Sequence, residues 1–129
     1  MDWKLKILIV DDSPLVAPRI RSLLDNLEPD VTIGDAANAE EALDLIQEVV
    51  PDVILLDLNL QGKSGVELLK EIKNKYPGVV IIIFTNHAEP YYRNICKESG
   101  ADYFFDKSTE FEMLPKILKE LTEALVHAG

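Results

Sequence analysis

The chain has 129 residues, 47% of them apolar, with 13 basic and 23 acidic side chains and a formal charge of −10. Such a length fits one domain, residues 1–129, with a sizeable core, and so acidic a balance gives no general affinity for phosphate backbones or anionic membranes. The single cysteine, Cys96, leaves no internal disulfide and fits a reducing compartment. No apolar run approaches the roughly 20 residues of a membrane helix, and a strand pattern begins too early for a signal peptide. The aromatic residues are scattered, without a stacking platform along a basic groove. The expectation is a cytoplasmic soluble domain without direct nucleic-acid or membrane binding.

In chain order, Lys6-Ile7-Leu8-Ile9-Val10 reads as a first strand and ends in Asp11-Asp12. Ser13-Pro14 reads as an N-cap followed by proline at the first helical position, where its missing N–H is harmless. The helix would carry Val16, Ile20, Leu23, Leu24 and Leu27 on one face and stop near Glu28-Pro29-Asp30. Val31 to Ala36 alternates, which suggests a strand near a sheet edge. Asn38 with Glu41 opens a second helix carrying Ala42, Leu43, Ile46 and Val49-Val50 on its apolar side.

Asp52-Val53-Ile54-Leu55-Leu56 is the third strand and ends in Asp57. Ser64 with Glu67 forms a capping box for a helix with Val66, Leu69 and Ile72 inward, stopped by Tyr76-Pro77-Gly78. Val79 to Phe84 is a fourth strand, ending in Thr85. A helix follows Glu89-Pro90 and ends at Gly100, a C′ glycine. Ala101 to Phe105 is the fifth strand, with Lys107 close behind. The last helix runs from about Phe111 toward Val126, so Pro115 must sit in its first turn or kink it.

Continuous β-branched runs mark parallel strands buried on both faces. Five strand–helix units with right-handed crossovers therefore predict an α/β fold: a five-stranded parallel sheet, doubly wound with five helices, in the flavodoxin-like order 2-1-3-4-5. In such a sheet the ligand site lies beyond the carboxyl ends of the strands. Asp11, Asp12, Asp57, Thr85 and Lys107 should gather at that edge. Three carboxylates together repel one another, and Mg²⁺ resolves the repulsion through hard oxygen ligands. One carboxylate then remains available as a nucleophile toward a phosphoryl group. Lys107 can pair with a phosphate oxygen and Thr85 can donate to another.

This pattern resembles the receiver domain of two-component response regulators over essentially the whole chain. The resemblance rests on Asp11-Asp12, Asp57, Thr85 and Lys107 after successive strands, with Gly65 and the Gly100-Ala101-Asp102 turn in support. It implies that Asp57 is the phosphoacceptor, served by a histidine kinase or phosphotransfer protein. It implies that Asp12, Asp57 and the Asn59 carbonyl bind Mg²⁺ directly, with Asp11 acting through water. Thr85 and Phe104 would be the switch pair that reshapes the face of the fourth helix, fifth strand and fifth helix. The output partner is unknown, and the domain would be a monomer or a phosphorylation-dependent dimer. It would be no enzyme beyond catalysing its own phosphotransfer and dephosphorylation.

Three positions depart from the family pattern. Ser108 stands where proline is common, so a trans bond and an altered lead into the last helix are expected, a cis non-proline bond costing about 2.5–4 kcal/mol. Asn86 replaces a small residue and should narrow access to the site. Gln61-Gly62-Lys63 lacks a proline and should be more mobile. The alternative is a degenerate receiver acting as a phosphorylation-independent interaction module, favoured by Asn86 and Ser108 and opposed by the intact acidic set. An aspartyl-nucleophile hydrolase of the haloacid-dehalogenase type is opposed by Asn59, which stands where that family has its second carboxylate. Tyr91, Tyr92, Tyr103 and Phe105 could build a partner surface, with at least half of them expected to pack. His87 reads as an exposed loop residue and Cys96 as a core residue.

Overall fold

The computed structural model describes residues 5–24, 31–60 and 64–128. Strands β1 (Leu5–Val10), β2 (Val31–Ala36), β3 (Val53–Leu56), β4 (Val80–Thr85) and β5 (Tyr103–Asp106) alternate with helices α1 (Val16–Leu24), α2 (Ala39–Glu48), α3 (Gly65–Lys75), α4 (Pro90–Glu98) and α5 (Met113–Ala128). All strand pairs are parallel, and their order is β2-β1-β3-β4-β5. The expected topology is the observed one, with β2 at an edge.

Strand alternation divides the core in two. Leu8 and Val10, Ile54 and Leu56, and Ile81 and Ile83 face α2, α3 and α4. Leu5, Ile7 and Ile9, Val53 and Leu55, and Ile82 and Phe84 face α1 and α5. Helix faces complete each layer. Val16 and Ile20 close one side, and Ala42, Ile46, Leu68, Leu69 and Ile72 close the other. Cys96 is fully buried, and burial pushes its thiol up to about 11, which keeps it an inert core residue.

The caps follow local sequence. Asn38 Oδ1 accepts the Glu41 N–H at 2.9 Å, and Glu41 reaches back to the Ala37 N–H at 2.7 Å. Ser64 Oγ accepts the Glu67 N–H at 3.2 Å. Gly100, just past the α4 C-cap Ser99, takes φ +105°, the conformation that favours glycine there.

Two local expectations are corrected, and a third, Pro115 in the first turn of the last helix, holds. Helix α1 begins at Val16, two residues after the proline expected to open it, and Ser13-Pro14 forms a preceding turn closed by the Val16 N–H on the Ser13 carbonyl at 3.3 Å. Pro18 explains this: a helix begun at Pro14 would need the N–H that Pro18 lacks, whereas from Val16 it falls in the first turn. Val49 and Val50 are 56% and 44% exposed, because α2 ends at Glu48 and its apolar stripe ends with it. Helix α5 starts at Met113, after turns in which Glu110 N–H meets the Asp106 carbonyl and Met113 N–H the Glu110 carbonyl, and this places Pro115 in its first turn. The expected stop of α1 at Glu28-Pro29-Asp30 and the Gln61-Gly62-Lys63 loop lie outside the described residues.

At the sheet's amino edge two carboxylates, just ahead of β3 and β5, each cap the strand beside their own. Asp52 accepts the Lys6 N–H at 2.8 Å, and Asp102 accepts the Ile81 N–H at 2.8 Å. Asp102 also pairs with Lys73 at 2.8 Å, and Lys73 donates to the Val79 carbonyl at 2.6 Å. Replacing Asp102 with alanine removes a charged acceptor from a strand N–H and a partner from Lys73. The expected loss is about 2 kcal/mol, read as a lower urea midpoint. An unchanged midpoint would show that water serves Ile81 equally well.

Candidate functional site

The register of the sheet places the site. Ile9 lies opposite Leu55 and Val10 opposite Leu56, so Asp11 and Asp57 leave adjacent strands at the same level. Their backbones stay in the ladder, with Asp11 N–H donating to the Ala36 carbonyl and Asp57 N–H to the Val10 carbonyl, each at 3.0 Å. Thr85, the last β4 residue, is opposite Asp106, and the next rung is the Lys107 N–H on the Thr85 carbonyl at 2.9 Å.

Lys107 returns its side chain across the top of the sheet to both acids. Its ammonium lies 2.6 Å from Asp11 Oδ2 and 3.0 Å from Asp57 Oδ2. All three side chains are nearly enclosed, at 13% exposure for Lys107, 4% for Asp11 and 8% for Asp57. Each acid spends its other oxygen on its own loop: Asp11 Oδ1 accepts the Ser13 N–H at 2.8 Å, and Asp57 Oδ1 the Asn59 N–H at 3.2 Å. Below the ammonium lies the Phe84 ring, 5.9 Å away, itself edge-on to Phe111.

Charge and burial oppose each other here. Burial pushes the Asp11 carboxyl above its ordinary value, the Lys107 and Ser13 hydrogen bonds pull it down, and the Asp57 charge pushes it up again. Burial alone would depress Lys107, but the two carboxylates outweigh it and raise the ammonium. Asp12 turns to solvent, and oxygens of Asp11, Asp12 and Asp57 lie within 4.8 Å of one another. An all-carboxylate set of this kind fits a hard divalent cation.

The remaining expected residues lie at the end of β4, on β5, on α4 and on the loops after β3 and β4. Thr85 is fully buried, and its Oγ1 accepts the His87 N–H at 3.2 Å. Phe104 is half-buried against the core layer of α2, α3 and α4. Asn59 is exposed on the loop after β3, held to Asp57 through its N–H. His87 is exposed, as expected, with its ring 5.7 Å from Tyr92. Tyr91 and Tyr103 are exposed, Tyr92 is half-buried and Phe105 is buried. The described residues contain no cis peptide bond, so Ser108 follows a trans bond. Sequence reasoning treated Asn86 and Ser108 as separate departures, yet Ser108 Oγ donates to Asn86 Oδ1 at 2.9 Å.

Gly65 is required by close approach. Its N–H donates to the Leu58 carbonyl at 3.1 Å, and a Cβ there would stand 2.5 Å from Leu58 Cα and 2.6 Å from the Asp57 carbonyl oxygen. The Gly65→Ala variant must push α3 away from the loop that carries Asp57. We expect a loss of about 3 kcal/mol, typical of overpacking against backbone, measured by thermal or urea unfolding. A variant as stable as the parent would mean that the loop yields at no cost.

A parallel α/β sheet with an acidic trio and a lysine on its carboxyl edge defines a signalling domain of the two-component type. Comparison with known proteins gives the family. The sequence model described as the response regulator receiver domain matches residues 7–119, and the chain belongs to that family. It is 35% identical over 117 residues to the nitrate/nitrite response regulator protein NarL of Escherichia coli K12, covering 88% of this chain and 53% of that protein. The chain thus spans about half the length of that relative. Among solved structures, the signal receiver domain of a DNA-binding response regulator from Colwellia psychrerythraea is similar at TM-score 0.85 and 31% identity, covering 93% of this chain and 99% of that one. A CheY-like receiver domain protein from Methanospirillum hungatei aligns at TM-score 0.83 and 27% identity, over 98% and 99% of the two chains. Among the described residues, no helix is long and apolar enough to cross a membrane.

Proposed function

We propose that Asp57 is the phosphoacceptor of this receiver domain, taking its phosphoryl group from a histidine kinase or phosphotransfer protein. The observation that carries this reading is the enclosed ion pair of Lys107 with both Asp11 and Asp57, beside an exposed Asp12. An Asp57 oxygen attacks phosphorus, an O–P bond forms, and the P–N bond to the donor imidazole breaks, the imidazole keeping the electron pair and taking a proton. Hydrolysis reverses the charge state: water attacks phosphorus and Asp57 leaves as a carboxylate. Lys107, already within reach of Asp57, follows the new charge to a phosphoryl oxygen. Thr85 donates its hydroxyl proton to another.

Asp11, Asp12 and Asp57, with the Asn59 carbonyl, would hold Mg²⁺, which when bound supplies positive charge against the carboxylates and the phosphoryl oxygens. A phosphoryl group adds about −1.5 to −2 charges. Drawing Thr85 toward it vacates space into which Phe104 turns, remodelling the α4-β5-α5 face for an output partner. A swing from 1:99 to 99:1 needs about 5.5 kcal/mol of differential stabilisation, within reach of an enclosed dianion meeting Lys107 and Thr85. Residues 1–129 would act as one cytoplasmic domain, as a monomer or a phosphorylation-dependent dimer, with no nucleic-acid contact of its own. Incubation with acetyl phosphate and Mg²⁺, read by intact mass, tests the reading; no adduct under any Mg²⁺ concentration would sink it.

A further inference from the structure

Arg93, on α4, fastens three separate pieces of the face that phosphorylation would remodel. Its Nε–H donates to the Ala88 carbonyl in the β4–α4 loop at 3.1 Å. A terminal N–H meets Glu110 Oε1 in the β5–α5 loop at 3.3 Å. The guanidinium carbon lies 4.7 Å from the centre of the Phe104 ring. Glu110 Oε1 in turn accepts the Asp106 N–H at 2.9 Å, and Asp106 Oδ1 accepts the Ser108 N–H at 2.8 Å. The Ser108–Asn86 hydrogen bond returns the chain of contacts to the β4–α4 loop. Thr85 and Lys107 lie inside this circuit, joined by their own backbone rung.

We propose that Arg93 restrains phosphoryl transfer: its contacts with Ala88, Glu110 and Phe104 hold the two loops in the unphosphorylated arrangement. The inference rests on the reading of Asp57 as phosphoacceptor. Phe104 cannot turn inward without leaving the guanidinium that covers it. A shift of the Thr85 backbone toward Asp57 would carry Asn86 with it, and the loop that Arg93 grips through Ala88. Stabilising the resting arrangement opposes the phosphorylated one to the same degree. By linkage, loosening the brace must strengthen binding of any group that favours the phosphorylated form.

Two variants test this: Arg93→Ala, which removes all three contacts, and Glu110→Gln, which keeps the shape and weakens the charged bond. For each, the rate of adduct formation with acetyl phosphate and Mg²⁺ would be measured by intact mass. Affinity for beryllium fluoride, a phosphoryl mimic, would be measured by calorimetry. Both quantities should rise about fivefold in Arg93→Ala, the low end of usual coupling. They should rise less in Glu110→Gln, and the double variant should gain little over Arg93→Ala alone. A merely structural arginine would lower the melting temperature and leave the affinity for the mimic unmoved, which overturns the inference. Unchanged or reduced values in Glu110→Gln overturn it even if Arg93→Ala fails to fold. If the unaltered chain forms no adduct, the phosphoacceptor reading fails and this inference fails with it.

Discussion

Asp57→Asn will take up no phosphoryl group from acetyl phosphate, while the unaltered chain gains a single adduct that disappears when Mg²⁺ is chelated. The amide cannot act as the nucleophile, because its oxygen lacks the charge that attacks phosphorus. It can still accept the Asn59 N–H that now meets Asp57 Oδ1 at 3.2 Å, so the loop should keep its course. Folding gives an independent check. Asp11, Asp12 and Asp57 bring carboxylate oxygens within 4.8 Å of one another, and removing one charge relieves that repulsion. The variant should therefore be more stable than the parent by about 1 kcal/mol in Mg²⁺-free buffer, a usual result when a functional site is relaxed. Loss of the adduct with stability kept or gained separates chemistry from unfolding. An adduct forming on Asp57→Asn at the parent's rate would assign the chemistry to another residue.

The candidate site was legible in sequence because a parallel sheet turns order along the chain into proximity in space. Residues at or just past the carboxyl ends of β1, β3, β4 and β5 must reach one edge, and the register places Asp11 beside Asp57 without any long-range guesswork. The same logic delivered Thr85 and Lys107. Local rules also placed Asn38, Ser64 and Gly100, whose roles depend only on neighbours within a turn. They misplaced the start of α1 because Ser13-Pro14 satisfied the start signal while Pro18, four residues on, set the helix.

The polar brace could not be read in this way. Arg93 and Glu110 are 17 residues apart, and Asn86 and Ser108 are 22 apart. Each pair joins the β4–α4 region to the β5–α5 loop, whose approach is decided by how α4 and α5 settle on the sheet. Asn86 and Ser108 drew notice singly, as a bulky group and a missing proline. Their mutual hydrogen bond is a tertiary fact that no spacing announces. Val49 and Val50 show the converse: apolar residues at the right period, exposed because the helix ended one residue too soon.

Lys107→Met should cost about 3 kcal/mol at neutral pH in Mg²⁺-free buffer, because it leaves two enclosed carboxylates with no counter-charge. The methylene stem is replaced at nearly equal volume, so the loss reports the ammonium rather than packing. Its pH dependence carries the sign. Burial already pushes Asp11 above 3.8 and Lys107 holds it back, so without the lysine its folded pKa climbs further. A raised folded pKa gives a contribution that is complete below 3.8 and is lost as pH rises through the folded value. The gap between variant and parent should therefore be small in acid and open as pH rises toward neutrality. In the parent, the raised Lys107 contributes its stabilisation in full below 10.5 and loses it as pH climbs through its folded value, so the gap should narrow again in strong alkali. Millimolar Mg²⁺ should recover part of the loss at neutral pH, since a cation bound only by the folded carboxylates stabilises by mass action. Urea midpoints for both proteins across this range decide the matter. A gap that ignores pH would mean that Lys107 holds the edge together by packing, and that its two short contacts with Asp11 and Asp57 contribute little as charge.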